Sequence, residues 1–212
     1  MDLSAFDTAL AQCPLVAILR GITPAEIDPA LDALVEAGFK LIEVPLNSPD
    51  PFTSIERLAA RAPADVAVGA GTVLDAASVH RLADIGAPLL VTPNVDLEVL
   101  EASRERGLGS LIGCLTPSEA FTALKAGARA VKLFPAARFG TGYLKDIKSV
   151  LPKQARVMAV GGVTLDNMAE WHAAGIQGFG FGSNLYTPGT DAVTLGQRAR
   201  ALVAQWQRLE RA

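Results

Sequence analysis

The chain has 212 residues, half of them hydrophobic but only 6% aromatic, with 19 Lys and Arg against 22 Asp and Glu. A net charge of -3 without any basic cluster excludes nucleic acid as the main partner, because phosphate binding needs a basic face. The two cysteines, Cys13 and Cys114, lie far apart outside any CxxC pattern, which fits a reducing cytosol and gives no disulfide framework or zinc site.

At the N-terminus, Met1–Gln12 carries Asp2 and Asp7 and no basic residue, so it does not read as a signal peptide. A strand is expected over Leu15–Leu19. Thr23-Pro24-Ala25-Glu26 then reads as a capping box, with Thr as N-cap, Pro at N1 and Glu at N3, opening a helix Ala25–Ala37. Further strands are expected at Leu41–Val44, Val66–Val68, Leu89–Val91, Ser110–Ile112, Ala130–Leu133, Val157–Val160 and Gly178–Phe181. Helical patterns fall between them at Ala76–Ile85, Leu97–Arg106, Ser118–Ala126 and Met168–Ala174. Five helices run into a strand through a glycine suited to a left-handed cap: Gly38, Gly86, Gly107, Gly127 and Gly175. Their spacing, about 20 residues or roughly twice that, is the period of a strand–helix unit. Eight such units without a linker predict a single domain over residues 1–212, an α/β fold of the (β/α)8 TIM barrel type. The alternative, an open doubly wound sheet, lacks its G-x-G-x-x-G fingerprint after every strand. No apolar stretch reaches membrane-spanning length, so the expected location is the cytoplasm, without a membrane partner.

In a barrel of this kind the chemistry gathers at the C-terminal strand ends. Those ends carry Arg20, Glu43 with Asn47, Gly71-Thr72, Thr92-Pro93-Asn94, Gly113-Cys114, Lys132, Gly161-Gly162 and Gly182-Ser183. Lys132 sits in the apolar run Ala130-Val131-Lys132-Leu133-Phe134, where desolvation favours a neutral, nucleophilic amine. Snorkelling to solvent is the structural alternative. Glu43 follows Gly38 by the same five residues that separate Lys132 from Gly127. On strands 2 and 6, the pair is expected to share one interior layer with Val91 and an empty position at Gly180, leaving room for a small substrate. The alternative for Glu43 is a structural ion pair with Lys132 or Arg20.

Gly161-Gly162 after strand 7, with Thr164 as N-cap of the next helix, and Gly182-Ser183 after strand 8 are expected to bind phosphate through backbone amides. His80 and His172 fall in helices and no strand end carries a histidine, which disfavours isomerases pairing Glu with His, metal-dependent epimerases and zinc aldolases. Neither cysteine has a base nearby in sequence, and Cys114 reads as a buried structural thiol.

The sequence resembles the KDPG/KHG aldolase family from Pro14 to about Tyr186, through Ala17-Ile18-Leu19-Arg20-Gly21-Ile22, Ile42-Glu43-Val44-Pro45-Leu46-Asn47-Ser48 and Gly69-Ala70-Gly71-Thr72-Val73-Leu74. It continues through Val91-Thr92-Pro93-Asn94, Val131-Lys132-Leu133-Phe134-Pro135 and Ala159-Val160-Gly161-Gly162-Val163. The resemblance implies an aldolase that releases pyruvate from a phosphorylated 2-keto-3-deoxy sugar acid, without metal or cofactor, as a homotrimer. It makes Lys132 the Schiff-base lysine and Glu43 the proton shuttle. Arg20 and Thr72 would help hold the pyruvyl end, and Gly162 and Ser183 the phosphate. Gluconate-series members carry Thr before the Gly-Gly and Arg in the glutamate-containing motif, where this chain has Val160 and Asn47. That departure favours the galactonate-series substrate, with the gluconate series and a non-catalytic metabolite-binding barrel as alternatives.

Overall fold

Eight runs of small and branched apolar residues form strands that are buried along their whole length: β1 (Leu15–Ile18), β2 (Leu41–Pro45), β3 (Ala67–Gly71), β4 (Leu89–Val91), β5 (Gly109–Cys114), β6 (Ala130–Leu133), β7 (Val157–Val160) and β8 (Phe179–Phe181). Each pairs in parallel with the next, and β8 returns to β1, so the sheet closes into a barrel without edges. The computed structural model describes residues 3–211. Met1, Asp2 and Ala212, which belong to the expected 1–212 domain, lie outside the described residues.

The helices are α1 (Leu3–Gln12), α2 (Ile27–Ala37), α3 (Pro51–Arg61), α4 (Ala76–Ile85), α5 (Leu97–Glu105), α6 (Pro117–Lys125), α7 (Gly140–Val150), α8 (Met168–Ala173) and α9 (Ala192–Leu209). Among the described residues, no helix is long and apolar enough to cross a membrane. All five expected cap glycines have positive φ, from 67° at Gly107 to 98° at Gly38, a conformation that residues with a Cβ rarely adopt.

Two apolar clusters result. One fills the space between the sheet and its helices. The other fills the barrel interior with Val16, Ile18, Leu41, Ala67, Leu89, Val91, Leu111, Ala130, Met158 and Val160. Phe6, Ala9 and Leu10 of α1 join the interior cluster and close the N-terminal end. A Cβ at Gly109 would stand 2.0 Å from the Phe6 ring, so glycine there admits the plug. Among the described residues the plug fills the bottom, and the interior opens into a cavity at the C-terminal strand ends.

Two expected caps differ from the structure. At Thr23 only half of a capping box forms: the Glu26 carboxylate accepts from the Thr23 amide at 3.0 Å, but the Thr23 hydroxyl donates to that carboxylate at 2.6 Å instead of accepting from the Glu26 amide. The helix starts later, at Ile27. The complete box stands at Thr116-Pro117-Ser118-Glu119, before α6. Thr164 likewise caps nothing, because α8 starts at Met168 after Asn167.

Candidate active site

Side chains alternate faces along a strand. Leu41 and Ala130 face the barrel interior, so Glu43 and Lys132, two residues further along β2 and β6, face it as well. Lys132 is 7% exposed and Glu43 2%. They line a cavity of about 340 Å³ at the C-terminal strand ends, together with Ile18, Arg20, Thr72, Pro93, Phe134, Val160, Gly161, Gly162, Val163, Gly180, Gly182, Ser183 and Asn184. Lys132, Glu43, Arg20, Thr72, Val160, Gly161, Gly162 and Ser183, expected from the sequence to act on or bind the substrate, therefore all reach one cavity. Val91 lies in the interior cluster but does not line that cavity. The expected gap at Gly180 is partly filled, since a Cβ there would stand 2.7 Å from Val160 Cγ2 and 3.2 Å from Ile18 Cδ1.

Burial sets the electrostatics of the pair. It pushes the Lys132 amine down from 10.5 to about 8, because an ammonium loses hydration there; Arg20 pushes the same way and Glu43 opposes. Burial also pushes the Glu43 carboxyl up from 4.5 to about 7, against the opposing pull of Lys132 and Arg20. Both groups thus change charge near neutrality. No hydrogen bond joins them: Lys132 Nζ donates to the Thr92 carbonyl at 3.1 Å, and Glu43 Oε2 is buried without any hydrogen-bond partner. The Lys132 nitrogen also stands 4.8 Å from the centre of the Phe134 ring.

A glycine makes space for the carboxylate. A Cβ at Gly71 would lie 2.0 Å from Glu43 Oε2 and 2.3 Å from Oε1. The next residue, Thr72, has φ 56°, an uncommon conformation for a β-branched side chain. Its hydroxyl receives Arg20 Nη2 at 3.4 Å, while Arg20 Nη1 donates to Asn47 Oδ1. One guanidinium therefore ties the ends of β1, β2 and β3 around the mouth.

The opposite rim is glycine-rich. Gly161 and Gly162 both have positive φ, 95° and 78°, and a Cβ at Gly162 would strike the Ala137 side chain at 2.5 Å. Asn167 holds this loop by accepting from the Thr164 amide at 2.8 Å and donating to the Gly162 carbonyl at 3.1 Å. After β8 the chain makes one turn, with the Gly182 carbonyl accepting from the Leu185 and Tyr186 amides. The amides of Ser183 and Asn184, at the start of that turn, find no acceptor among the described residues. Asn184 Nδ2 donates to the Val163 carbonyl at 2.9 Å and links the two loops.

From the sequence, Thr92 and Pro93 were named as a strand end and Phe134 as part of the Lys132 run, but none was given a role, and Asn184 was not named. Phe134 follows Lys132 by two residues and so continues its side of the chain, which was a readable signal. Thr92 contributes a main-chain carbonyl, which residue type does not reveal. Burial pushes the Cys114 thiol up to about 12, and Cys114 packs in the outer apolar cluster. His80 is exposed on α4, and His172 on α8 meets Glu210 and the Trp206 ring. Among the described residues no group of three or more His, Cys, Asp or Glu could hold a metal ion.

Comparison with known proteins adds three likenesses and a family. The family model described as KDPG and KHG aldolase matches residues 6–193. The chain is 48% identical over 193 residues to the probable 2-dehydro-3-deoxy-6-phosphogalactonate aldolase of Rhizobium meliloti (strain 1021), covering 91% of each. It is 45% identical over 194 residues to the 2-dehydro-3-deoxy-6-phosphogalactonate aldolase of Escherichia coli (strain K12), covering 92% of this chain and 95% of that protein. A solved structure described as native KDPGal superposes with a TM-score of 0.93 at 44% identity, covering 95% of this chain and 98% of that one.

Proposed function

Because this chain belongs to the KDPG and KHG aldolase family, we propose that it reversibly cleaves 2-dehydro-3-deoxy-6-phosphogalactonate to pyruvate and D-glyceraldehyde 3-phosphate through an imine on Lys132. The observation that carries the reading is a buried amine and an unpartnered carboxylate oxygen lining one cavity.

The reaction follows from what those groups can do. The neutral Lys132 amine adds to the C2 ketone, and loss of water leaves an iminium ion. Glu43 takes the proton of the C4 hydroxyl, the C3–C4 bond breaks, and its electron pair flows into the iminium to give an enamine. The same carboxyl then returns the proton to C3, and hydrolysis releases pyruvate. A carboxyl that titrates at about 7 can both accept and give a proton near neutrality. Arg20, held between Asn47 and Thr72, meets the substrate carboxylate together with the Thr72 hydroxyl. The loops at Gly161-Gly162 and Ser183 hold the phosphate through backbone amides, without the helix N-terminus expected at Thr164.

Val160, with its methyl groups at the cavity wall, offers no hydrogen bond to the C4 hydroxyl and favours the galactonate-series epimer. A barrel that only bound phosphorylated metabolites would gain nothing from burying an amine. The same reading extends to a homotrimer in the cytoplasm. Specificity constants for the two pure C4 epimers, read by coupled pyruvate detection, test the function. Preference for the galactonate series is expected. The reverse preference would move the substrate to the gluconate series, and no pyruvate from either would overturn the aldolase.

A further inference from the structure

We propose that Thr92 is a positioning residue for Lys132: its hydroxyl ties the end of β4 to β5, and its carbonyl, fixed by that tie, holds one N–H of the amine and later the N–H of the iminium. The proposal rests on the reading of Lys132 as the imine-forming residue.

Two independent constraints set the Thr92 carbonyl in place. First, the Thr92 side chain is 0% exposed, and its hydroxyl makes two bonds: it donates to the Asn94 carbonyl at 2.6 Å and accepts from the Gly113 amide at 3.1 Å. These bonds fold the chain back over Pro93 and lock it to the neighbouring strand. Second, a Cβ at Gly113 would stand 2.7 Å from the Thr92 carbonyl oxygen and 2.3 Å from the Pro93 carbonyl carbon. Only glycine at 113 lets the β4 end lie this close to β5. The oxygen so placed accepts from Lys132 Nζ at 3.1 Å, across a sequence separation of 40 residues.

The chemistry gives that acceptor a task at two stages. A neutral lysine amine has two N–H bonds and one lone pair, so anchoring one N–H on a fixed carbonyl restricts where the lone pair points. After loss of water the nitrogen carries one N–H and a positive charge. A carbonyl already facing it then accepts a charge-assisted hydrogen bond, which is stronger than the neutral one. The interaction therefore grows as the electron sink forms, the condition for helping the reaction rather than merely binding.

Thr92→Val keeps the branch and the volume but removes the hydroxyl, whereas Thr92→Ser keeps the hydroxyl. Each variant is compared with the native enzyme by the rate of pyruvate imine formation, trapped with cyanoborohydride across a pH series. Thr92→Val should slow imine formation about 10- to 100-fold. It should also move the midpoint of the pH dependence downward, because an ammonium that loses its acceptor gives up its proton more readily. Thr92→Ser should restore both to within about threefold of native. Native rate and midpoint in Thr92→Val, or failure of Thr92→Ser to restore them, overturns the positioning role. A second measurement needs no variant. Among the carbonyl carbons of the Thr–Pro steps in native protein, observed by 13C–15N correlation, that of Thr92 should move downfield when pyruvate is added, and an unmoved signal overturns the proposal. If the native enzyme forms no adduct on Lys132, the aldolase reading fails instead, so the two failures are distinct.

Discussion

Gly71→Ala should disable the proton shuttle while leaving the barrel and the imine intact. Gly71 is not among the residues with positive φ, so its backbone accepts alanine without strain. The new methyl would meet the Glu43 carboxylate at 2.0 Å from Oε2 and 2.3 Å from Oε1, against an ordinary contact of 3.4–4 Å. The carboxylate must therefore withdraw by more than about 1 Å, and a misplacement of that size costs about 10²-fold in rate. Overpacking should also destabilise the protein by about 1–3 kcal/mol. The assay is turnover with the galactonate-series substrate, coupled to pyruvate detection, beside the yield of the trapped pyruvate imine. Turnover should fall about 10²-fold, a loss that Glu43→Gln should match, while the imine yield stays near native. In a Glu43→Ala background the contacts with the carboxyl group are gone, and Gly71→Ala should then cost less turnover and less stability than it does in the native background. Native turnover in the single variant would show that the Glu43 carboxylate need not sit where it does. An equal loss in both backgrounds would place the effect in the backbone rather than in Glu43.

Three further outcomes follow from the same geometry. The Lys132 amine is pushed down to about 8, so imine formation from pyruvate should rise with pH through about 8 and level off above it; a rise continuing beyond pH 10 would mean an ordinary lysine. Val160→Thr places a hydroxyl on the cavity wall and should shift the ratio of specificity constants toward the gluconate-series epimer by about tenfold, measured on both pure substrates. Gly162→Ala forces a Cβ to 2.5 Å from the Ala137 side chain at positive φ, so it should raise KM for the phosphorylated substrate at least tenfold yet leave imine formation from pyruvate alone unchanged.

Much of this was legible because the deciding pattern was local. Lys132 and Glu43 stood out as lone charged residues in apolar strands, and the five-residue offset from a cap glycine put both on the interior face. The strand ends were harder to read. β3 was expected at Val66–Val68 but runs Ala67–Gly71, through residues of low strand propensity. Pairing with β2 along its whole length holds it extended, from Leu41 opposite Ala67 to Pro45 opposite Gly71. A Cβ at Gly69 would lie 1.8 Å from the Leu89 carbonyl oxygen, so its glycine serves the close approach of β4. The capping boxes make the same point. Thr23-Pro24-Ala25-Glu26 and Thr116-Pro117-Ser118-Glu119 are one local pattern, yet only the second closes fully. The Glu26 carboxylate also meets the Tyr186 hydroxyl at 3.4 Å, a contact made across 160 residues that no local pattern encodes. The Thr92 carbonyl escaped for a related reason, since a backbone acceptor carries no residue-type signature.

Whether Lys132 forms the imine is read most directly by borohydride reduction in the presence of pyruvate, followed by peptide mapping. Loss of activity is expected with one stable pyruvyl adduct, located on the peptide carrying Ala130-Val131-Lys132-Leu133-Phe134. An adduct on any other lysine, or full activity after reduction, would contradict imine formation on Lys132.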